Sequence, residues 1–309
     1  MCRVGTPLCL LSAAAFGLLA VFGRLALEEG VDLNTLLFAR FAIAAVLLLP
    51  WALRRGLLHR VNLRLVAVGL AMGAVGYSLQ ATLYFAALQH TEVSQVALVF
   101  SCYPLLVTVV AVLTRRERGD ARRWTAIGLS WLGIGLVVTG GSVGSFALLG
   151  AGLALAAAAV YCVYITIGDR INGSFDPVDL TSLVVTGAAL TFLVSGLVHG
   201  GPHLDVSATA WMWLLLVGSV STVAAILMFF AGMARVGPST ASLLGTLEPV
   251  VTVLSAAAAF GERLTPVQMV GALMVLSALV VCRPRATAPP KELPVLALEP
   301  AAAVQAGAT

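Results

Sequence analysis

Long apolar runs fill this chain and recur every 25–35 residues, and the short segments between them carry most of the charged side chains. Each run is long enough to cross a hydrocarbon core of about 30 Å as a helix. The strict alternation of apolar and polar positions that is typical of a membrane barrel does not appear in the sequence. The runs therefore predict ten membrane-spanning helices, over residues 7–27, 34–53, 65–88, 93–114, 123–141, 146–168, 179–198, 209–234, 238–260 and 266–282.

The composition agrees with an all-α membrane protein. Of the 309 residues, 60% are hydrophobic and 10% are charged, and the mean hydropathy is +1.01. A soluble domain, by contrast, carries about a quarter of charged residues. The last 27 residues, 283–309, are rich in Ala and Pro and have no sustained period. They predict a disordered tail on the cytoplasmic side.

The basic residues indicate how the predicted helices are oriented. With ten spans, fifteen of the eighteen Lys and Arg residues fall on one side of the membrane, and only Arg24 and Arg263 fall on the other. Because cytoplasmic loops carry the excess of basic residues, we expect a multi-pass protein of a bacterial inner membrane with both termini in the cytoplasm. The net charge of +4 then reflects topology, and we expect no nucleic-acid partner.

Residue patterns that support catalysis or metal binding are sparse. The five cysteines show no CxxC spacing, the four histidines form no HExxH motif, and the sequence contains no ATP-binding motif. We therefore expect no catalytic residues, no metal and no cofactor. An intramembrane enzyme is an alternative of another class, but neither paired acids at depth nor a Ser/His/Asp set supports it.

The chain contains an internal repeat. Residues 84–118 align without a gap on residues 229–263 when the chain is shifted by 145 positions, and eight of the 35 pairs are identical. The identical pairs include Phe85 with Phe230, Ser94 with Ser239, Pro104 with Pro249 and Glu117 with Glu262. Compositional bias does not produce matched Pro, Ser and Glu-Arg pairs, so duplication is favoured over chance similarity. The two predicted units are a first five-helix repeat, 7–141, and a second, 146–282.

An odd number of helices per repeat inserts the two halves in opposite orientations. Inverted repeats with interrupted helices at matching positions are typical of secondary transporters, which alternate between inward-open and outward-open arrangements. Glu117 then lies at the cytoplasmic end of the fourth span, and Glu262 lies at the outer end of the ninth. Each carboxylate either belongs to a gate or marks the end of a helix, and both interpretations stay open.

Two stretches resemble the drug/metabolite transporter superfamily, in particular its EamA-type members with ten helices in two five-helix repeats. They are YFAAL…S…A…P…E in the first half and LEPVVTVLSAAAAFGERLTPVQMVGALMVLSALVV in the second. Arg40, in LLFARFAIAAVLLLP, matches an arginine common in the second helix of that family. The resemblance covers essentially residues 7–282, although LTRRERGD is more basic than the family's usual loop. It implies export, or sometimes uptake, of amino acids, related metabolites or amphiphilic drugs through a central cavity.

Glu248 lies about ten residues into the ninth span, near the middle of the membrane, and its repeat counterpart is Tyr103. An intramembrane carboxylate indicates a functional site by default, and Glu248 can exchange a proton or bind a substrate amine. Alternatively, protonated Glu248 donates to a nearby hydroxyl or to a carbonyl freed by proline. Pro104 and Pro249 each remove a helical hydrogen bond, and kinks at both positions would open room for a central cavity.

Polar aromatic residues in two other spans are candidates for lining that cavity. Tyr77, Gln80 and Tyr84 fall at i, i+3 and i+7, so they share one helical face. Tyr161 and Tyr164 can contribute from the sixth span. These side chains, like Tyr103, either bind substrate or pack between helices and hydrogen-bond there.

Arg40 is a basic residue inside the second span. It can pair with a substrate carboxylate, or it can extend to the membrane surface or bond to helix-end carbonyls. The sequence favours the structural role for this residue.

These patterns together favour a secondary active transporter, with export preferred. Its partners would be a small amphiphilic or zwitterionic substrate, the lipid bilayer and protons, because the absence of an ATP-binding motif points to a gradient as the energy source. A passive channel or a lipid- or drug-handling membrane protein is the alternative.

Overall fold

The computed structural model describes residues 2–57, 63–114, 121–140, 145–171, 176–198, 202–236 and 247–281, together with residues 241, 244 and 245. Within these ranges all regular structure is helical. The α-helices are α1 (Cys2–Glu28), α2 (Leu33–Arg54), α3 (Leu63–Ala71), α4 (Ser78–Ala87), α5 (Val93–Phe100), α6 (Tyr103–Leu113), α7 (Ala121–Thr139), α8 (Ser145–Ile171), α9 (Pro177–Val198), α10 (Ala208–Leu215), α11 (Ala225–Val236), α12 (Glu248–Phe260) and α13 (Pro266–Val281). Two π-helical segments, Met72–Tyr77 and Leu216–Ala224, join α3 to α4 and α10 to α11.

Seven of the described helical stretches are long and apolar enough to cross a membrane, judged by length and composition. They are Val4–Glu28, Leu33–Arg54, Leu63–Ala87, Val93–Val110, Leu148–Gly168, Val178–Val198 and Ala208–Met233. Three shorter apolar helices accompany them: Trp124–Thr139, Glu248–Phe260 and Pro266–Ala278. An all-helical protein with multiple apolar spans is thereby confirmed, and the arrangement as ten spans in two inverted repeats stays a prediction.

Short polar residues set several helix ends between the apolar runs. The Asp32 carboxylate accepts a hydrogen bond from the Thr35 backbone N–H at 3.0 Å and caps the start of α2. The Ser207 hydroxyl caps α10 in the same way through the Ala210 N–H, also at 3.0 Å. Gly261, with a φ of +67°, takes the left-handed conformation that ends α12. Each cap satisfies backbone groups that a helix end leaves without intrahelical partners.

The helix bounds differ from the predicted spans in two places. α1 begins at Cys2, several residues before the predicted start at residue 7. The predicted span 93–114 is interrupted, because α5 ends at Phe100 and α6 begins at Tyr103. The hydropathy of this stretch is continuous, so composition alone carries no sign of the interruption.

Contacts between the connecting segments sort those segments into two groups. Three such contacts are the His203 N–H to the Thr35 hydroxyl at 2.9 Å, the Thr265 hydroxyl to the Gly140 carbonyl at 2.7 Å, and Arg55 Nη2 to Asp176 Oδ2 at 3.8 Å. The first two contacts join connections that follow odd-numbered predicted spans, and the third joins connections that follow even-numbered spans. Connections within one group therefore lie at the same end of the helix bundle.

Close helix packing recurs at the 145-residue separation found in the sequence. A Cβ atom on Gly73 would overlap the carbonyl oxygen of Val184 in α9 and would lie 2.7 Å from its carbonyl carbon. A Cβ atom on Gly218, which is 145 residues further on, would lie 2.8 Å from the Ile43 Cβ in α2. Each π-helical segment thus packs through a glycine against a helix of the other half of the chain.

Helix starts recur at the same separation. α6 begins at Tyr103 and α12 at Glu248, and α7 begins at Ala121 and α13 at Pro266. The helices that correspond in this way also pack on each other, since α2 contacts α9 and α7 contacts α13. The two halves of the chain therefore share helix boundaries and meet along matching helices.

We expect Gly73→Ala to lower the free energy of unfolding by about 1–3 kcal/mol, because the added methyl group overlaps backbone that side-chain rotation cannot move. Thermal or denaturant unfolding of the purified protein in detergent measures this change. Gly152→Ala in α8 is the matched control, because a Cβ atom there meets nothing within 4 Å. Equal stability of the two variants would show that the Gly73 packing does not limit the fold.

Candidate functional site

All five tyrosines of the chain lie in one connected group of aromatic rings. The ring centroids are 5.5 Å apart for Tyr77–Tyr164, 5.8 Å for Tyr164–Tyr161, 4.8 Å for Tyr161–Tyr103, 5.3 Å for Tyr103–Phe100 and 5.0 Å for Phe100–Tyr84. We call these five tyrosines and Phe100 the tyrosine cluster. It joins residues from the first π-helical segment, α4, α5, α6 and α8. The structure thus brings together every tyrosine that the sequence singled out.

The tyrosine rings contact one another at distances typical of aromatic pairs. They therefore occupy the space between their helices in this conformation. The sequence predicted an open central cavity at this position, whereas the rings here pack edge-to-face and tilted. A substrate that binds among them has to separate the rings first.

Pro104 and Pro249 each lie in the first turn of a helix, α6 and α12 respectively. A proline is well accommodated there, because the missing N–H would have no intrahelical partner and the fixed φ suits a helix start. Tyr103 and Glu248, the residues before the two prolines, consequently occupy equivalent helix-start positions. The prolines thus mark new helix starts and not bends within continuous helices.

Glu248 is half-buried at the start of α12. It lies within electrostatic range of three members of the tyrosine cluster, Tyr84, Tyr103 and Tyr161. The Thr252 hydroxyl bonds to the Glu248 carbonyl at 3.1 Å and to the Gly17 carbonyl of α1 at 2.9 Å. These contacts hold the backbone of Glu248 against α1, with its carboxyl group beside the tyrosines.

Arg40 is buried in α2, with only 4% of its surface exposed. Its Nε donates to the Thr222 hydroxyl at 3.2 Å, and its Nη2 donates to the Tyr77 hydroxyl at 3.4 Å. The guanidinium carbon lies 4.9 Å from the centroid of the Phe41 ring and 5.6 Å from that of Phe85. Arg40 therefore lies inside the helix bundle, next to the tyrosine cluster.

Gln80 is also buried, with 7% of its surface exposed, and lies in α4 one turn before Tyr84. Both residues face inward, as expected for one side of an amphipathic span. Tyr77 precedes α4 in the π-helical segment and is half-buried. The structure therefore brings Tyr77, Gln80 and Tyr84 to the interior.

Glu262 caps a helix that is distant in sequence. Its carboxylate accepts hydrogen bonds from the Val93 N–H at 2.8 Å, from the Ser94 N–H at 3.0 Å and from the Ser94 hydroxyl at 2.5 Å. These bonds satisfy the first N–H groups of α5 and place a negative charge at the positive end of the helix. Its predicted counterpart, Glu117, lies outside the described residues.

A cleft of about 480 Å³ opens beside this cap. The residues that line this cleft, here the Arg24 cleft, are Arg24, Glu28, Gln89, His90, Thr91, Glu92, Phe260 and Glu262. Arg24 forms an exposed ion pair with Glu28 at 2.9 Å and also donates to the Leu88 carbonyl. Burial raises the pKa of Glu92, and the Glu262 carboxylate adds to this rise. The cleft thus carries both signs of charge at the end of the bundle where α5 begins.

Several members of the site are absent from the sequence prediction. Phe41, Phe85 and Phe100 do not stand out because phenylalanine in an apolar run looks the same whether it faces protein or lipid. Thr222 could have been found, because it is 145 residues after Tyr77 and is therefore its repeat counterpart. The Arg24 cleft depends on contacts between distant segments, and no local pattern signals it.

Comparison with known proteins adds to this geometry. The EamA-like transporter family matches the chain twice, over residues 3–139 and over residues 148–283. An uncharacterized transporter of Archaeoglobus fulgidus is 27% identical over 283 residues, which are 90% of this chain and 96% of that protein. The threonine/homoserine exporter RhtA of Escherichia coli K12 is 28% identical over 251 residues, 77% of this chain and 78% of that protein.

A solved crystal structure shares the fold, with a TM-score of 0.61 and 20% sequence identity over 90% of this chain and 96% of the other. The apolar helices and the family matches together define a multi-pass membrane transporter. More narrowly, the chain belongs to the EamA-like transporter family. The resemblance inferred from the sequence is therefore confirmed.

We expect Glu262→Ala to lower the free energy of unfolding by about 1–2 kcal/mol, the usual cost of losing a helix cap. Thermal unfolding in detergent measures the change. Glu28→Ala, on the same cleft, is the control, because its exposed ion pair with Arg24 contributes at most about 0.5 kcal/mol. If both variants unfold at the same temperature, the carboxylate of Glu262 does not stabilise the start of α5.

Proposed function

We propose that this protein is a secondary active transporter that exports small amphiphilic or zwitterionic metabolites, such as amino acids, across a bacterial inner membrane. The observation that carries this proposal is the meeting of the five tyrosines with Glu248 and Arg40, deep among apolar helices, where α6 and α12 begin. Ionisable groups inside a membrane protein commonly mark a substrate or ion pathway. The name of the relative RhtA, a threonine/homoserine exporter, supports both the substrate class and the direction.

The proposed architecture is ten spans in two inverted five-helix repeats, over residues 7–141 and 146–282. Three observations support it. The family matches the chain twice in tandem, helix starts recur 145 residues apart, and the connecting segments fall into two groups that agree with ten alternating crossings. The predicted tail, 283–309, lies outside the described residues.

In the proposed mechanism the two halves rock against each other around the tyrosine cluster. The rings are in contact here, so this conformation corresponds to a closed central site. The Arg24 cleft would form the outer vestibule, because its lining segments follow odd-numbered spans. The Glu262 cap on α5 would hold that end of the bundle together, and its release would accompany opening. Movement of this kind gives the site access to one side of the membrane at a time.

Glu248 would bind either a proton or the amino group of the substrate. Tyrosine faces stabilise ammonium groups, so Tyr84, Tyr103 and Tyr161 suit the second role as well as the first. Exclusive binding of one cation or the other would couple substrate movement to the proton gradient. The carboxyl group is well situated for this exchange because the helix start holds its backbone in a fixed position.

We expect Glu248→Gln, which keeps the size of the side chain but removes its charge, to abolish transport driven by a pH gradient. Uptake into reconstituted vesicles, measured with an imposed gradient at two pH values, tests this expectation. Glu29→Gln, at the exposed end of the bundle, is the matched control and should transport normally. Unchanged flux and unchanged pH dependence in the Glu248 variant would remove Glu248 from the mechanism.

The proposed orientation predicts which loops an impermeant thiol reagent reaches. In a variant without the five native cysteines, His203→Cys should react in intact cells, because its connection follows the seventh span. Arg55→Cys should react only after the membrane is permeabilised, because its connection follows the second span and is cytoplasmic. Equal labelling of both positions in intact cells would contradict the ten-span topology.

A further inference from the structure

Arg40 is a buried cation whose described partners are neutral. Its hydrogen-bond acceptors are the hydroxyls of Thr222 and Tyr77, at 3.2 and 3.4 Å. Both distances are long compared with the 2.7–2.9 Å that is typical of bonds from a cation to a carboxylate. Among the described residues, none of the ion pairs includes Arg40. Because a buried charge is costly without a counter-charge, this guanidinium is suited to receive an anion.

Aromatic rings surround the guanidinium on several sides. Its carbon lies 4.9, 5.9 and 5.6 Å from the ring centroids of Phe41, Tyr77 and Phe85. Ring faces stabilise the cation without forming in-plane hydrogen bonds. The planar fork of N–H groups therefore stays compatible with a carboxylate, which it can bind through two parallel bonds.

The charge of Arg40 is paired in space with that of Glu248 across one tyrosine. Tyr84 lies within electrostatic range of both residues. A site with a fixed cation on one side and a carboxylate on the other complements a molecule that carries a carboxylate and an ammonium group. The tyrosine cluster between them offers ring faces and hydroxyls to the rest of such a molecule.

We propose that Arg40 binds the carboxylate of a zwitterionic, amino-acid-type substrate, and that this binding withdraws the guanidinium from the hydroxyls of Thr222 and Tyr77. The inference rests on the proposed transport function and adds to it the group that recognises the anionic end of the substrate. Glu248 then receives the ammonium end. Molecules that lack the carboxylate would leave Arg40 bound to the two hydroxyls.

Release of the two hydroxyls would also loosen a link between the halves of the chain. Tyr77 and Thr222 are 145 residues apart and lie in the two π-helical segments, so Arg40 bridges equivalent positions. The Thr222 hydroxyl keeps its own hydrogen bond to the Val217 carbonyl, at 2.9 Å, after Arg40 leaves. Its release therefore leaves no donor unsatisfied, and the exchange of partners is inexpensive. Carboxylate binding is in this way linked to the freedom of the two halves to move.

The test compares transport of neutral amino acids, including threonine, with transport of their amides, which keep the side chain and the ammonium group. Both are measured in proteoliposomes by uptake and counterflow. Wild-type protein should transport the amino acids and discriminate against the amides. Arg40→Gln should reduce amino-acid transport by roughly ten- to hundredfold and reduce the discrimination, because charge-assisted hydrogen bonds to the carboxylate are lost.

Two further variants separate recognition from folding. Arg235→Gln is the matched control, because Arg235 is exposed and bonds to the Ala231 carbonyl of its own helix, and its transport should be unchanged. Thr222→Val removes one hydroxyl that competes for Arg40, so it should lower the Kd for amino acids, measured by ligand-induced thermal shift. A solely structural Arg40 predicts lower stability for Thr222→Val with an unchanged Kd.

The outcomes distinguish this inference from the function on which it rests. Wild-type protein that transports neither amino acids nor amides contradicts the proposed function and the inference together. Wild-type protein that transports amino acids, with an equal preference for acid over amide in Arg40→Gln, contradicts the role of Arg40 alone. If Arg40→Gln does not fold, an unchanged or raised Kd in Thr222→Val overturns the inference.

Discussion

Inside a membrane every backbone hydrogen-bonding group needs a partner within the protein, and this constraint governs the centre of the molecule. The helix that carries Pro104 cannot continue through it unbroken, so α5 ends at Phe100 and α6 begins at Tyr103. Such an interruption is tolerated only where neighbouring helices surround it. The neighbouring helices there contribute the aromatic rings of the tyrosine cluster. The site for a small molecule and the interruption of the helix therefore have the same location for the same physical reason.

The same constraint applies to charge. Arg40 and Glu248 are the ionisable residues of opposite sign that approach the tyrosine cluster. Tyrosine is suited to both neighbours, because its hydroxyl accepts from a guanidinium and its ring face attracts an ammonium group. An aromatic lining thus stabilises the cation and leaves room for exchange of partners. Carbonyls or carboxylates bound tightly to Arg40 would stabilise it more and would oppose such exchange.

The sequence predicted the tyrosines, the two prolines and Glu248 because each is a rare residue type in an apolar run. It predicted the fold class and the family for the same reason, through long runs and matched polar positions. It did not predict the π-helical segments, since the wider turn follows from packing at Gly73 and Gly218 and not from a residue pattern. It left open whether Glu262 marks a helix end, and the cap on Val93 and Ser94 depends on a tertiary contact.

The two π-helical segments connect local packing to movement. Each has a wider turn than an α-helix, and each packs by a glycine against a helix of the opposite half. Such turns occur frequently at functional sites. Because Tyr77 and Thr222 lie within them, a change in the partners of Arg40 acts where the helices already depart from regular geometry. A small change in hydrogen bonding at the centre can therefore alter the contact between the halves, which rigid α-helices at the same positions would resist.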